Sequence, residues 1–210
     1  LSSAGKATYE DSENSGIGSN GLTSARHDIL CPYYREKYTE TFDAGVDEKL
    51  VYCGPYKLED KLEGSSMTIA QALLSPTRTY APVIMKIMKK HPGLIKGLVH
   101  CSGGGQTKCV RFGKSVHFVK DNLMDVPPIF KAIQKASGTS DREMFEVYNM
   151  GHRMEVYCSK YDAKKVIDIA ESYAVEARVI GHTEKSARPD RKNHVSVKYA
   201  GKTLEYGPRD

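Results

Sequence analysis

Ser15-Gly16-Ile17-Gly18-Ser19-Asn20-Gly21, running into the helix-compatible stretch Leu22 to Leu30, decides how the rest of the chain is read. A glycine-rich loop that opens into a helix leaves backbone N–H groups free at the helix mouth, where they can hold an anion. Gly16, Gly18 and Gly21 lack a Cβ and allow a ligand close to the backbone. Ser19 and Asn20 add side-chain donors. The same residues also suit a plainer role, a flexible turn in which Ser19 or Asn20 caps the helix. The spacing is neither the full dinucleotide fingerprint nor a P-loop.

A second glycine cluster repeats the layout. Ile95 to His100 reads as a strand and runs into Ser102-Gly103-Gly104-Gly105, with a short helix expected from Gln106 to Val110. Strand, glycines, helix again lets amides face a phosphate, and a tight turn is the alternative. His100, Cys101 and Cys109 lack the paired Cys-x-x-Cys spacing of a zinc site, so no metal is assigned to them.

The remaining elements follow from periodicity and punctuation. A short strand is expected at Leu50 to Cys53. A short helix is expected from Met67 to Leu74, and a longer one from Thr79 to Lys90. Pro82 falls in the first turn of that helix, Val83, Ile84, Ile87 and Met88 form its apolar stripe, and His91-Pro92-Gly93 ends it. Ser115 to Lys120 alternates as an edge strand, and Pro127-Pro128 launches a helix with Ile129, Phe130 and Ile133 facing inward. Ser140 and Glu143 suggest a capping box for a helix reaching Tyr148. Asn149-Met150-Gly151 turns into a strand from His152 to Cys158. Asp162 to Tyr173 forms an amphipathic helix burying Val166, Ile167, Ile169 and Ala170, and Ala177 to Gly181 a strand. A basic loop (EKSARPDRKN) leads to a terminal hairpin, His194 to Tyr199 and Thr203 to Tyr206, turning at Ala200-Gly201. Strands and helices mix without strict alternation. The class is α+β, a mixed β-sheet with helices packed on it.

Composition narrows the function classes. With 210 residues, 40% hydrophobic and 27% charged, the chain can bury a core and is globular rather than disordered. A net charge of +5, spread along the sequence, suits a small anion and makes no nucleic-acid footprint. An odd number of cysteines, five, points to free thiols in a reducing compartment, hence a cytoplasmic protein. No apolar run is long enough to span a membrane. Residues 6–15 are polar and acidic and read as a mobile, flap-like insertion. The tyrosines between Cys31 and Gly64 (Tyr33, Tyr34, Tyr38, Tyr52, Tyr56) fit either a half-buried irregular segment or a base-stacking surface.

Several blocks in order resemble a known family: Ser15-Gly-Ile-Gly-Ser-Asn-Gly21, Leu74-Ser-Pro-Thr-Arg-Thr-Tyr80, His100-Cys-Ser-Gly-Gly-Gly105, Pro127-Pro-Ile-Phe130, Glu143-Met144 and Tyr148-Asn-Met-Gly151. Together they are similar to the C-terminal domain of aminoimidazole ribonucleotide synthase (phosphoribosylformylglycinamidine cyclo-ligase), from about Leu1 to Glu184. The resemblance implies an ATP-dependent ligase of purine biosynthesis. ATP phosphorylates the formyl oxygen of formylglycinamidine ribonucleotide, and an internal nitrogen then closes the imidazole ring. It implies that residues 1–210 form a single substrate-cleft domain, with the N-terminal domain that binds ATP and Mg2+ and carries the homodimer contact absent from this chain. The fragment alone is then inactive. Where the family usually has histidine, this chain has Gly18. Cys101 and Ser102 replace the usual aliphatic residue and threonine, and segments 6–15 and 31–64 are longer than typical.

The expected site therefore comprises Ser19, Asn20 and Gly21 from one loop and Ser102, Gly103, Gly104 and Gly105 from the other, converging on the 5′-phosphate of a ribonucleotide. His100 and Asn149 position the substrate, no general acid or base is assigned, and the partners are the ribonucleotide and the chain's own N-terminal domain. A different class, a non-catalytic nucleotide- or RNA-binding module using the tyrosines and Arg188 to Lys192, is the alternative.

Overall fold

The computed structural model describes residues 1–19 and 21–207. The elements, in chain order, are α1 (Leu22–Ile29), α2 (Tyr33–Lys37), α3 (Ile69–Leu73), α4 (Ala81–Lys90), β1 (Gly97–His100), β2 (Val116–Lys120), α5 (Pro128–Ser137), α6 (Asp141–Val147), β3 (Met154–Tyr157), α7 (Ala163–Glu171), β4 (Gly181–Lys185), β5 (His194–Tyr199) and β6 (Lys202–Tyr206). Their starts and stops follow local chemistry. Thr68 and Gln71 close a reciprocal capping box on α3, α5 begins at Pro128 and stops at left-handed Gly138, and Pro82 lies in the first turn of α4.

The α+β class holds, with the strands divided between two sheets. β1 and β3 form an antiparallel ribbon, and β4-β2-β5-β6 form a mixed sheet in which only the β2–β5 pair is parallel. The larger apolar cluster joins α1, α3, α5 and α6 to the inner face of the mixed sheet through Ile29, Ile69, Phe130, Ile133, Phe145, Phe118, Val195 and Val197. A smaller cluster packs α4 on α7 through Val83, Ile87, Val166 and Ile169. The ribbon lies between them: Val99 belongs to the first cluster, while Met154 and Val156 pack against the second.

Several expectations need correction. Residues 50–53 form no strand: Leu50 ends a 3₁₀ turn whose Asp47 side chain accepts from the Lys49 amide, and Tyr52 is left-handed at φ 45°. β2 is an interior strand, bonded on one side to β4 and on the other to β5. The strand expected at 177–181 lies instead at Gly181–Lys185, taking in Glu184 and Lys185 from the expected basic loop. Ahead of it, the Ile180 carbonyl accepts from the Asp121 and Asn122 amides rather than from a ladder. Ser140 caps α6 by accepting from the Glu143 amide, without a reciprocal bond. Met88 is exposed and Ile84 and Ile167 are only half-buried, leaving Val83 and Ile87, and Val166, Ile169 and Ala170, as the buried faces of α4 and α7. Residues 6–15 are tied down rather than free. Gly5 and Asn14 exchange backbone bonds, Ala7 is buried, and Glu10 receives both ends of the Arg78 guanidinium at 2.8 Å. Of the tyrosines in 31–64, Tyr34 and Tyr52 are buried, while Tyr33 and Tyr38 are exposed.

Candidate functional site

Both glycine loops rest on the segment from Tyr148 to Arg153. The first loop comes down on it residue by residue. The Asn149 Nδ2 donates to the Gly16 carbonyl at 2.8 Å, and Arg153 Nη2 donates to the carbonyls of Gly16 and Ile17 at 3.2 and 2.6 Å. Gly18, at φ +56°, lies flat against the Arg153 guanidinium, so any Cβ there would collide with it. Gly21 abuts the Tyr148 ring, 2.6 Å from where a Cβ would stand. The family resemblance puts an imidazole at position 18; in this chain Arg153, 1% exposed, fills that space from below.

The second loop reaches the same segment from β1. The Cys101 amide donates to the Arg153 carbonyl at 2.6 Å, and Gly105 fits over the carbonyls of Phe145 and Tyr148 with no room for a side chain. Gln106, fully buried, donates from one Nε2 to the carbonyls of Asn149 and His152. The Ser102 and Gly105 amides bond within the loop, to the His100 and Ser102 carbonyls. The amides of Gly103 and Gly104 find no acceptor among the described residues, and Gly103 is exposed.

At the mouth of the first loop, Gly21 occupies the cap of α1 with φ 73° and supplies no side-chain acceptor to the first-turn amides. Exposed Ser19 donates its amide to Thr77 Oγ1 at 3.2 Å, an oxygen that also lies 3.5 Å from Arg153 Nη1. Asn20 lies outside the described residues. The Asn149 side chain is fully engaged, its Oδ1 accepting from the Gly151 amide, so it braces the loop from within rather than standing open to a ligand. His100 packs edge-on against Tyr80, and burial, followed by the charges of Arg153 and Lys108, pushes its imidazole below the ordinary histidine range. Two cations thus bear on the ground between the loops.

Beneath the second loop lies a buried ion pair. Lys120 Nζ contacts Glu155 Oε1 and donates to both oxygens of Gln106, while Glu155 also receives Cys101 Sγ and the Tyr157 hydroxyl. Burial alone would neutralise both groups, but the Glu155 charge holds the Lys120 ammonium above its usual value and the Lys120 charge holds the carboxyl below its own. The Cys101 and Cys109 thiols are pushed up by burial, Cys109 to about 11, and are inert donors. All five cysteines are unbridged.

Sequence reasoning named the two loops but missed Arg153, Thr77 and the Lys120–Glu155 pair. The available signal was an arginine and a glutamate at the head of an otherwise apolar strand, Arg153-Met154-Glu155-Val156, where charges are retained only with partners. The loops carry no carboxylate, and both oxygens of Glu155 are engaged, so these residues do not fit a magnesium-bound nucleotide and no step through one is derived from them.

A mixed sheet, an antiparallel ribbon and two glycine loops over one arginine-bearing turn define a domain of α+β class. Residues 54–192 match the family model "AIR synthase related protein, C-terminal domain", and the chain belongs to that family. It is 37% identical over 194 residues to the phosphoribosylformylglycinamidine cyclo-ligase of Methanococcus vannielii, covering 91% of this chain and 49% of that protein. The proteins of the same name from Methanocaldococcus jannaschii (34% over 168 residues; 80% and 42%) and Caldicellulosiruptor saccharolyticus (31% over 173 residues; 81% and 46%) are also similar. The chain spans about half the length of the curated relatives it matches.

Proposed function

We propose that this chain is the substrate-cleft domain of an ATP-dependent phosphoribosylformylglycinamidine cyclo-ligase, closing the imidazole ring of aminoimidazole ribonucleotide in purine biosynthesis. The observation that carries the reading is the shared seat of the two loops on Tyr148–Arg153, with a buried guanidinium between them. In this reading the free amides of Gly103 and Gly104, the first turn of α1, Ser19 and Ser102 hold the 5′-phosphate of formylglycinamidine ribonucleotide. Arg153 and Lys108 supply the positive field, and neutral His100 offers a hydrogen bond without adding charge. In the same reading ATP and Mg2+ belong to a separate N-terminal domain, for which relatives about twice as long as the matched stretch leave room. Homodimerisation belongs to that domain too.

The nucleic-acid alternative has less behind it. Arg188, in the basic segment, is paired with Asp190, and the buried tyrosines Tyr34 and Tyr52 offer no stacking face. Calorimetric titration with formylglycinamidine ribonucleotide tests the proposal. Saturable binding that weakens about tenfold or more in Gly104→Val and Ser102→Ala, with 5′-phosphate-free riboside failing to compete, is expected. Binding that ignores both changes would contradict it.

A further inference from the structure

The outer face of the four-stranded sheet, away from the glycine loops, carries a cluster that the proposed activity does not use. Strand register assembles it. His117 of β2 stands opposite His194 of β5 on one side and Glu184 of β4 on the other, and Ser196 of β5 stands opposite Glu205 of β6. Because side chains alternate along a strand, all five project from the same face, while Phe118, Val195 and Val197 point into the core. The two imidazoles stack with centroids 4.0 Å apart and planes 14° from parallel. One donor atom from each of His117, His194 and Glu205 falls within 4.8 Å of the others.

Each ring is held by hydrogen bonds, and a cation at His117 Nε2 takes the place of one of them. His117 Nδ1 lies 2.8 Å from Glu184 Oε1, and His194 Nδ1 lies 3.1 Å from Ser186 Oγ. Both rings are thus held by Nδ1, with a carboxylate behind one of them, the arrangement that orients a metal-binding imidazole and raises its basicity at Nε2. His117 Nε2 points at Ser196 Oγ, 2.7 Å away, on the residue paired with Glu205. We infer that His117, His194 and Glu205 form a binding site for a divalent zinc-like cation on the outer sheet face, with Glu184 and Ser186 as its supporting shell and Ser196 beside the open position.

The donor set fits that ion class. Two imidazoles and one carboxylate with a position left for water is a known zinc pattern, and imidazole donors select zinc, nickel or copper over magnesium or calcium. Bonds of about 2.0–2.1 Å place tetrahedral donors roughly 3.4 Å apart, so the cluster must contract. The exposed Glu205 side chain and ring rotations at the histidines allow that contraction. Unprotonated imidazoles are what a metal needs.

The test is titration of the metal-free, reduced protein with zinc chloride near neutral pH, read by calorimetry, and with cobalt(II), read by visible absorption. One zinc per chain is expected, with affinity reduced about tenfold or more by His117→Ala and by Glu205→Gln. Glu205 is exposed, so its variant keeps the fold if His117→Ala does not. Cobalt should give tetrahedral d–d bands without thiolate charge transfer, and excess magnesium should not displace it. Thiolate bands would place the ion on the free cysteines, and no binding, equal competition by magnesium or an unchanged affinity in Glu205→Gln would likewise overturn the assignment.

Discussion

The two glycine loops look alike in sequence and are built in opposite ways. In the first, Gly16, Gly18 and Gly21 are each pressed by a side chain (Ser3, Arg153 and Tyr148), and its carbonyls are taken by Asn149 and Arg153. In the second, Gly105 is pressed, by backbone carbonyls, and Gly104 is not. Gly103 is exposed, Gly104 has nothing nearer to a Cβ than Lys108 at 3.7 Å, and the holding bonds run underneath through Gln106, Lys120 and Glu155. The first loop is scaffold with an exposed lip at Ser19; the second is an open surface on a buried ionic base. Glycine content alone does not separate these roles, whereas the neighbour of each missing Cβ does.

That contrast breaks first if its ionic base is dispensable. Lys120→Met leaves the Glu155 carboxylate buried without its cation and should cost about 3–5 kcal/mol in denaturant unfolding. Restoring neutrality with Glu155→Gln alongside it should recover much of that loss. Arg153→Met keeps the apolar stem but leaves the Gly16 and Ile17 carbonyls short of donors, for about 2–3 kcal/mol. Gly18→Ala should cost a similar amount by evicting the same guanidinium, and the two losses should not add, because they remove one interaction. Gly104→Ala, which meets a left-handed backbone at φ +101° and only ordinary contact with Lys108, should cost about 1–2 kcal/mol while weakening ribonucleotide binding more than Gly18→Ala does at equal folded fraction.

The smallest effect is in pH. His152 is fully buried, has no partner for either ring nitrogen among the described residues, and is held far below the ordinary histidine range by burial and then by Lys120. His100, His27 and His194 are shifted the same way. The unfolded chain therefore binds protons that the native chain refuses, and stability falls as pH drops below about 6.5 towards the depressed native values. Urea midpoints measured downwards from neutral pH should show that decline, and His152→Leu should flatten it. As pH falls further, through the lowered pKa values of Glu155 and Glu10, stability held by their pairing with Lys120 and Arg78 is lost in turn.

Much of this fold was legible where a residue has one strong local meaning. Pro82 and Pro128 set helix starts, His91-Pro92-Gly93 a helix stop, and Ala200-Gly201 the final hairpin, because φ and missing donors act locally. Legibility failed where tertiary partners decide. β4 is a polar strand, Gly181–Lys185, that no apolar period announces, and it pairs because β2 offers it an edge. Residues 50–53 look strand-like by composition, yet Asp47 and a left-handed Tyr52 bend them. Residues 6–15 look mobile until Arg78, far along the chain, clamps Glu10. In the site, both loops could be named from glycine spacing and family likeness, whereas Arg153 could not, since its role comes from the space that Gly18 leaves.

The most direct measurement is an amide chemical-shift titration of the protein with formylglycinamidine ribonucleotide. The expected result is that the amides of Ser19, Gly103 and Gly104 move together along one binding isotherm, with the Arg153 side-chain resonances following. Shifts confined to one loop, or to residues remote from both, would contradict it.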